Sequence, residues 1–187
     1  MHSSADDKTI LDATRHWVTR AVIGLNLCPF AKSVYVKDQI RFTLTRARED
    51  QDILEALETE LQLLAETAPE QLDTTLLVIP DALRDFDDYN GFLARAERCL
   101  KRARLTGVLQ IASFHPNYQF ADSAPEDIEN YTNRAPYPIL HLLRESSIEH
   151  GVRAFPDAAT IYERNQETLR RLGHDGWQAW MRDEAGF

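Results

Sequence analysis

The sequence predicts an α/β fold: a small, mostly parallel sheet of three to four strands surrounded by helices, with a helix-rich C-terminal third. Three observations predict it. Stretches of period two at 39–47, 74–80 and 107–116 alternate with stretches of period 3.6 at 49–66 and 85–104. The order strand, helix, strand, helix, strand contains two crossovers, and crossovers of this length join parallel strands with right-handed connections. Beyond residue 116 only helical patterns follow.

Each element has its own justification. Residues 1–7 are expected to be a disordered N-terminus. A helix is expected over 6–24, where Ile10, Ala13 or Thr14, Trp17 and Ala21 keep the 3.6 period. "LNLCPFAKS" ends it, because Pro29 disfavours helix at Cys28. In 39–47, Ile40, Phe42 and Leu44 alternate with Arg41, Thr43 and Thr45, as in a half-buried strand. Ile53, Leu57, Leu61 and Leu64 line one face of the helix at 49–66. "TTLLVIP" is a short apolar strand that stops at Pro80. Asp85 caps the helix at 85–104, with Phe86, Tyr89, Leu93, Ala96 and Leu100 toward the core. The third strand, "GVLQIASFHP", stops at Pro116. Helices are then expected over 124–134, 138–148 and 157–172, followed by a short end around Trp177 and Trp180. Residues 1–187 read as one domain, with 138–187 a C-terminal helical extension packed on the α/β core.

Composition excludes several functions. The 187 residues suit one domain, and 43% hydrophobic content suffices for a packed core. Lys and Arg number 21 against 30 Asp and Glu, a formal charge of −9. That balance argues against a nucleic-acid partner, whose affinity comes largely from phosphate neutralisation. It leaves room for a local basic pocket that takes a small anionic molecule. Two cysteines, Cys28 and Cys99, make no disulfide framework. The first 20 residues carry no apolar leader. The run "AVIGLNLCPFA" is too short to span a bilayer, which needs roughly 20 apolar residues. A cytoplasmic protein with reduced thiols and no membrane partner is the expectation.

Parallel α/β sheets hold ligands beyond the carboxyl ends of their strands. That rule selects Thr45 and Arg46, then Pro80 and Asp81, then Ser113, His115 and Pro116. His115 is the leading catalytic candidate: a strand-end histidine, fixed by the next proline, in the right pKa range for proton transfer. The alternative is a histidine that only bonds a turn. Cys28, with Lys32 close in sequence, is the second candidate, as a nucleophile or a redox-sensitive thiol. The alternative is a small buried apolar residue, which Cys99 resembles more closely. Arg134 offers a planar fork to a carboxylate or phosphate, with Asn130 and Asn133 one helical turn apart beside it. The alternative there is a capped helix end with Pro136 and Pro138 beyond it. Asp81 is a candidate base or an orienter of His115. His141 reads as a packing residue in a helix. No His or Cys spacing matches a metal site, and no Walker or GxGxxG loop is present. No motif names a cofactor or an oligomeric state.

The blocks "LNLCPFAKS", "SFHPNYQFAD" and "NYTNRAPYPILHLLRE", followed by "ERNQETLRRLG", resemble a bacterial family catalogued as a domain of unknown function (DUF fourteen-fifteen). The resemblance runs from about residue 8 to 173. It implies a stand-alone soluble protein and carries over no activity, cofactor or catalytic residue.

The functional expectation is a small-molecule enzyme of hydrolase or transferase type. It would act on an anionic metabolite, with His115 as acid/base, Cys28 as possible nucleophile, and Arg134, Asn133, Asn130, Arg46 and Asp81 around the substrate. The rival expectations are a non-catalytic ligand-binding or regulatory module and a helical partner-binding scaffold.

Overall fold

A computed structural model of the chain describes residues 6–154 and 160–182. Helix α1 (Asp7–Trp17) starts where the Asp6 side chain accepts the Thr9 N–H at 2.7 Å. It runs on into a π-helical turn, Val18–Ile23, in which the Gly24 N–H reaches back five residues to the Thr19 carbonyl. Residues 1–5 of the expected N-terminal tail lie outside the described residues.

After the short α2 (Ala31–Val36) come β1 (Ile40–Leu44), α3 (Asp50–Glu66), β2 (Thr74–Val78), α4 (Phe86–Arg102) and β3 (Leu109–Phe114). Apart from α2, where only a break was expected, these match the expected strand–helix alternation closely. Asp85 caps α4 as its sequence position predicts, accepting the N–H groups of Asp87 and Asp88.

The last third differs from expectation. The stretch 124–134 is a loop holding one 3-10 turn, Ile128–Thr132. The reason is Asn130, fully buried, whose side chain accepts the Phe120 N–H and the Ser123 hydroxyl and donates to the Ala124 carbonyl. Such side-chain bonds to backbone compete with a helical ladder. The stretch 138–148 is a fourth strand, β4 (Ile139–Arg144), followed by α5 (Glu145–Ala154). Ile139, Leu140 and Leu142 are fully buried, and a strand covered on both faces reads as a continuous apolar run rather than an alternating one. The segment 138–187, expected as a helical extension, therefore supplies an interior strand of the sheet. Helix α6 (Ile161–Arg182) includes Trp177 and Trp180 and bends at Gly173, whose φ is 66°. The expected helix start at 157 lies outside the described residues.

The sheet order is β1-β2-β4-β3. It is mixed, not mostly parallel: β1 and β2 pair in parallel, and β4 pairs antiparallel with both β2 and β3. The correction follows from the extra strand, which inserts between β2 and β3 and runs opposite to both. Because β4 opposes both of its neighbours, β1, β2 and β3 still point the same way. Leu44, Val78, Ile139 and Phe114 form one row across the sheet near this edge.

Alternation along the inner strands divides the core in two. Leu77 and Ile79 of the β2 segment, with Leu140 and Leu142 of β4, meet Ile53, Leu57, Leu61 and Leu64 of α3 and Tyr89, Phe92, Ala96 and Leu100 of α4. Leu76, Val78 and Ile139 meet Ile10, Trp17, Val18 and Ala21 of the first helix and Leu169 of α6. Burying one such Leu or Ile contributes about 1.5–3 kcal/mol. Arg144, at the end of β4, turns its guanidinium onto the carbonyls of Leu64, Thr67 and Leu72 and closes the C-terminus of α3.

Candidate functional site

The shared carboxyl edge of β1, β2 and β3 brings several chosen residues near one another. Arg46 follows β1 and bonds both Asp81, after β2, at 3.2 Å, and Asp7 of α1 at 2.6 Å. Its hydrogen bonds, to Asp7 first and Asp81 next, hold the guanidinium charged. The three-residue bridge ties the start of α1 to the ends of two strands.

Beside this bridge lies a cleft of about 550 Å³. The loop after β1 contributes Arg48 and, at the start of α3, Asp50; the loop after β2 contributes Asp81, Ala82 and Leu83. Helix α4 forms a further wall with Asp87, Asp88, Gly91, Phe92 and Arg95. Arg95 is ion-paired with Asp50, so the start of α3 is clamped to the middle of α4 at the cleft. The size falls within the range of small-molecule sites, roughly 300–1,000 Å³. A second depression, beside Asn26, Pro29 and Asn165, holds about 10 Å³, at most a single water.

His115 lies just behind the cleft. It is fully buried, with its ring against Phe86 and Tyr89. Nδ1 accepts the Asn117 N–H at 3.0 Å, which leaves Nε2 to donate to the Leu83 carbonyl at 3.0 Å. Burial lowers its pKa from the ordinary histidine value, although the Leu83 and Arg84 backbone and the Asp85 charge pull the other way. Both ring nitrogens are thus engaged by backbone, and neither is presented to the cleft. Tyr89 joins the same junction, donating its hydroxyl to the Ile139 carbonyl and accepting the Phe114 N–H.

Asn130, Asn133 and Arg134 organise the loop that follows β3. Asn133 donates its amide to the Ser113 carbonyl, while its own carbonyl accepts the His115 N–H. Arg134 reaches the carbonyls of Tyr118 and Pro125 and stacks over the Tyr131 ring at 4.7 Å. None of the three lines the cleft. Their polar groups are directed at the backbone of the loop and of the β3 end, not at the end of a helix, so neither the ligand fork nor the capped helix end weighed from the sequence describes them.

Cys28 follows the π turn, whose Val18 and Ala21 pack on the sheet face opposite α3 and α4. Cys28 and His115 share no hydrogen bond among the described residues. Burial pushes the Cys28 thiol above its ordinary value, and the Phe30 and Ala31 backbone groups that favour thiolate do not offset it. Cys99 is buried in α4 with its pKa also raised, burial being the main cause. His141 sits in β4 rather than in a helix. It shares a 2.7 Å hydrogen bond with the Thr74 hydroxyl, which itself donates to the Leu142 carbonyl, and burial lowers its pKa to about 4.

Among the described residues, no group of three or more His, Cys, Asp or Glu is placed to hold a metal ion. No described helix is long and apolar enough to cross a membrane. Sequence reasoning reached Asp81 and Arg46 but missed Arg48, Asp50, Gly91 and Arg95. Arg48 was within reach of the strand-end rule, two residues beyond Arg46. Gly91 and Arg95 lie on α4 itself, and only the packing of α4 beside α3 brings them to the edge.

No curated protein and no solved structure is matched by this chain. The family comparison agrees with the resemblance: a model described as "Protein of unknown function (DUF1415)" matches residues 9–179, and the chain belongs to that family.

Proposed function

We propose that this protein binds a small polar molecule in the cleft beyond β1 and β2, as a ligand-binding or regulatory module of the cytoplasm. The observation that carries this reading is Gly91. It sits inside α4 without a positive φ, and a Cβ built there meets no atom within 4 Å. Neither backbone geometry nor packing calls for glycine. Glycine in a helix interior costs about 0.5–1 kcal/mol relative to alanine. Its lack of a side chain keeps the cleft wall open. The position of the cleft agrees with this, since ligands of such sheets gather at the carboxyl ends of parallel strands.

His115 and Cys28 favour binding over acid/base or nucleophilic chemistry. A general base needs a ring nitrogen free to reach the substrate, and an activated thiol needs a lowered pKa. His115 commits both nitrogens to backbone, and the Cys28 thiol is raised.

The test is a metabolite screen by thermal shift, with each hit repeated on Gly91→Leu. A ligand at 100 times its Kd stabilises the parent by about 2.7 kcal/mol. Gly91→Leu should fold and give no shift. Gly91→Ala should be more stable than the parent by about 0.5–1 kcal/mol without ligand. A hit that stabilises Gly91→Leu as well as the parent removes the ligand from the cleft. Turnover of a bound hit overturns the non-catalytic reading.

A further inference from the structure

The charges lining the cleft fall into two sets. Asp81 is held by Arg46, and Asp50 by Arg95, so these pairs neutralise one another within the wall. Arg48, Asp87 and Asp88 differ: among the described residues their side chains make no hydrogen bond or ion pair. Arg48 belongs to the loop after β1, while Asp87 and Asp88 belong to the first turn of α4. The backbone N–H groups of Asp87 and Asp88 are already taken by the Asp85 carboxylate. One element of the cleft thus presents an uncommitted cation, and another presents two uncommitted anions.

We propose that the ligand is amphoteric: an ammonium group and a carboxylate or similar acid on one small skeleton. This rests on the cleft reading given above and narrows it. The acid lies toward Arg48, where a guanidinium fork gives paired, charge-assisted bonds. The ammonium lies toward Asp87 and Asp88. A ligand bearing only an anion meets Arg48 favourably but faces two aspartates. A ligand bearing only a cation leaves Arg48 opposed. Discrimination therefore comes from repulsion as well as from attraction.

The experiment uses three probes of matched chain length: γ-aminobutyrate, butyrate and butylamine. Each is titrated at low ionic strength into the isotope-labelled full chain, and the amide resonances of Arg48, Asp88 and Gly91 are followed. γ-Aminobutyrate should bind about tenfold more tightly than either single-charge probe. Arg48→Gln, and separately the double variant Asp87→Asn with Asp88→Asn, should each erase most of that preference. Both variants lie on exposed side chains, so the remaining resonances report an intact fold. Butyrate or butylamine binding as well as γ-aminobutyrate overturns the amphoteric ligand and leaves the cleft standing. A response of these amides to none of the three also overturns it, and the Gly91→Leu comparison judges the cleft on its own.

Discussion

The Nε2 of His115 lies 3.0 Å from the carbonyl of Leu83, and this bond joins the loop after β3 to the loop after β2. Leu83 has a φ of 53°, a left-handed conformation that a bulky side chain adopts only under constraint. It also lines the cleft. The histidine expected to do chemistry holds the backbone that shapes the candidate site. His115→Ala leaves the Leu83 carbonyl and the Asn117 N–H without partners and opens a void beside Phe86 and Tyr89. A loss of about 2–4 kcal/mol is expected in urea unfolding. A loss below about 1 kcal/mol would contradict the role.

His141 makes stability depend on pH. Its pKa is 6.5 in an unconstrained chain and about 4 in the fold. Between these values the unfolded state binds a proton that the native state does not. Stability is therefore complete above pH 6.5 and falls as pH drops toward 4. The loss from this one group reaches about 3 kcal/mol at the low end. His115, also lowered, acts in the same direction. Unfolding midpoints measured from neutral to acid pH should show a shallower decline in His141→Gln than in the parent. Parallel declines would mean that carboxylates alone set the acid limit.

The thiols should be slow. Burial raises both Cys28 and Cys99, so alkylation of each in the native state should follow a midpoint above the ordinary thiol value of about 8.5. Cys28, half-buried, should react before Cys99, which is almost wholly covered. A Cys28 midpoint near neutrality would restore it as a nucleophile.

Arg134→Lys separates a brace of the loop after β3 from a ligand residue. Lysine keeps the charge but loses the fork that spans the Tyr118 and Pro125 carbonyls. A stability loss of about 0.5–1.5 kcal/mol is expected, with affinity for any cleft ligand unchanged. Weakened binding in a variant of unchanged stability would return Arg134 to the site.

The sequence by itself determined the first two-thirds of the fold. Periods of two and 3.6, Asp85 before α4, and the prolines after β2 and β3 are local signals, and each specifies backbone shape without reference to distant residues. The positions of Arg46 and Asp81 just after two strands that point the same way were legible by the same local signals. Only the tertiary structure decided "PILHLLR". A fully buried strand and a buried helix are both continuous apolar runs, and the choice falls to the partners available. Here β2 and β3 each present an unpaired edge to Ile139–Arg144, and pairing with both satisfies the backbone on either side. The same holds for His115. Its strand-end position was legible, but whether a ring nitrogen meets a ligand or a carbonyl depends on where the Leu83 loop folds. In the sequence Gly91 and Arg95 are only two positions of a helix, because nothing in α4 records which neighbours its cleft-facing side will have. Local signals set the elements, while contacts between residues far apart in sequence assign their edges, partners and uncommitted charges.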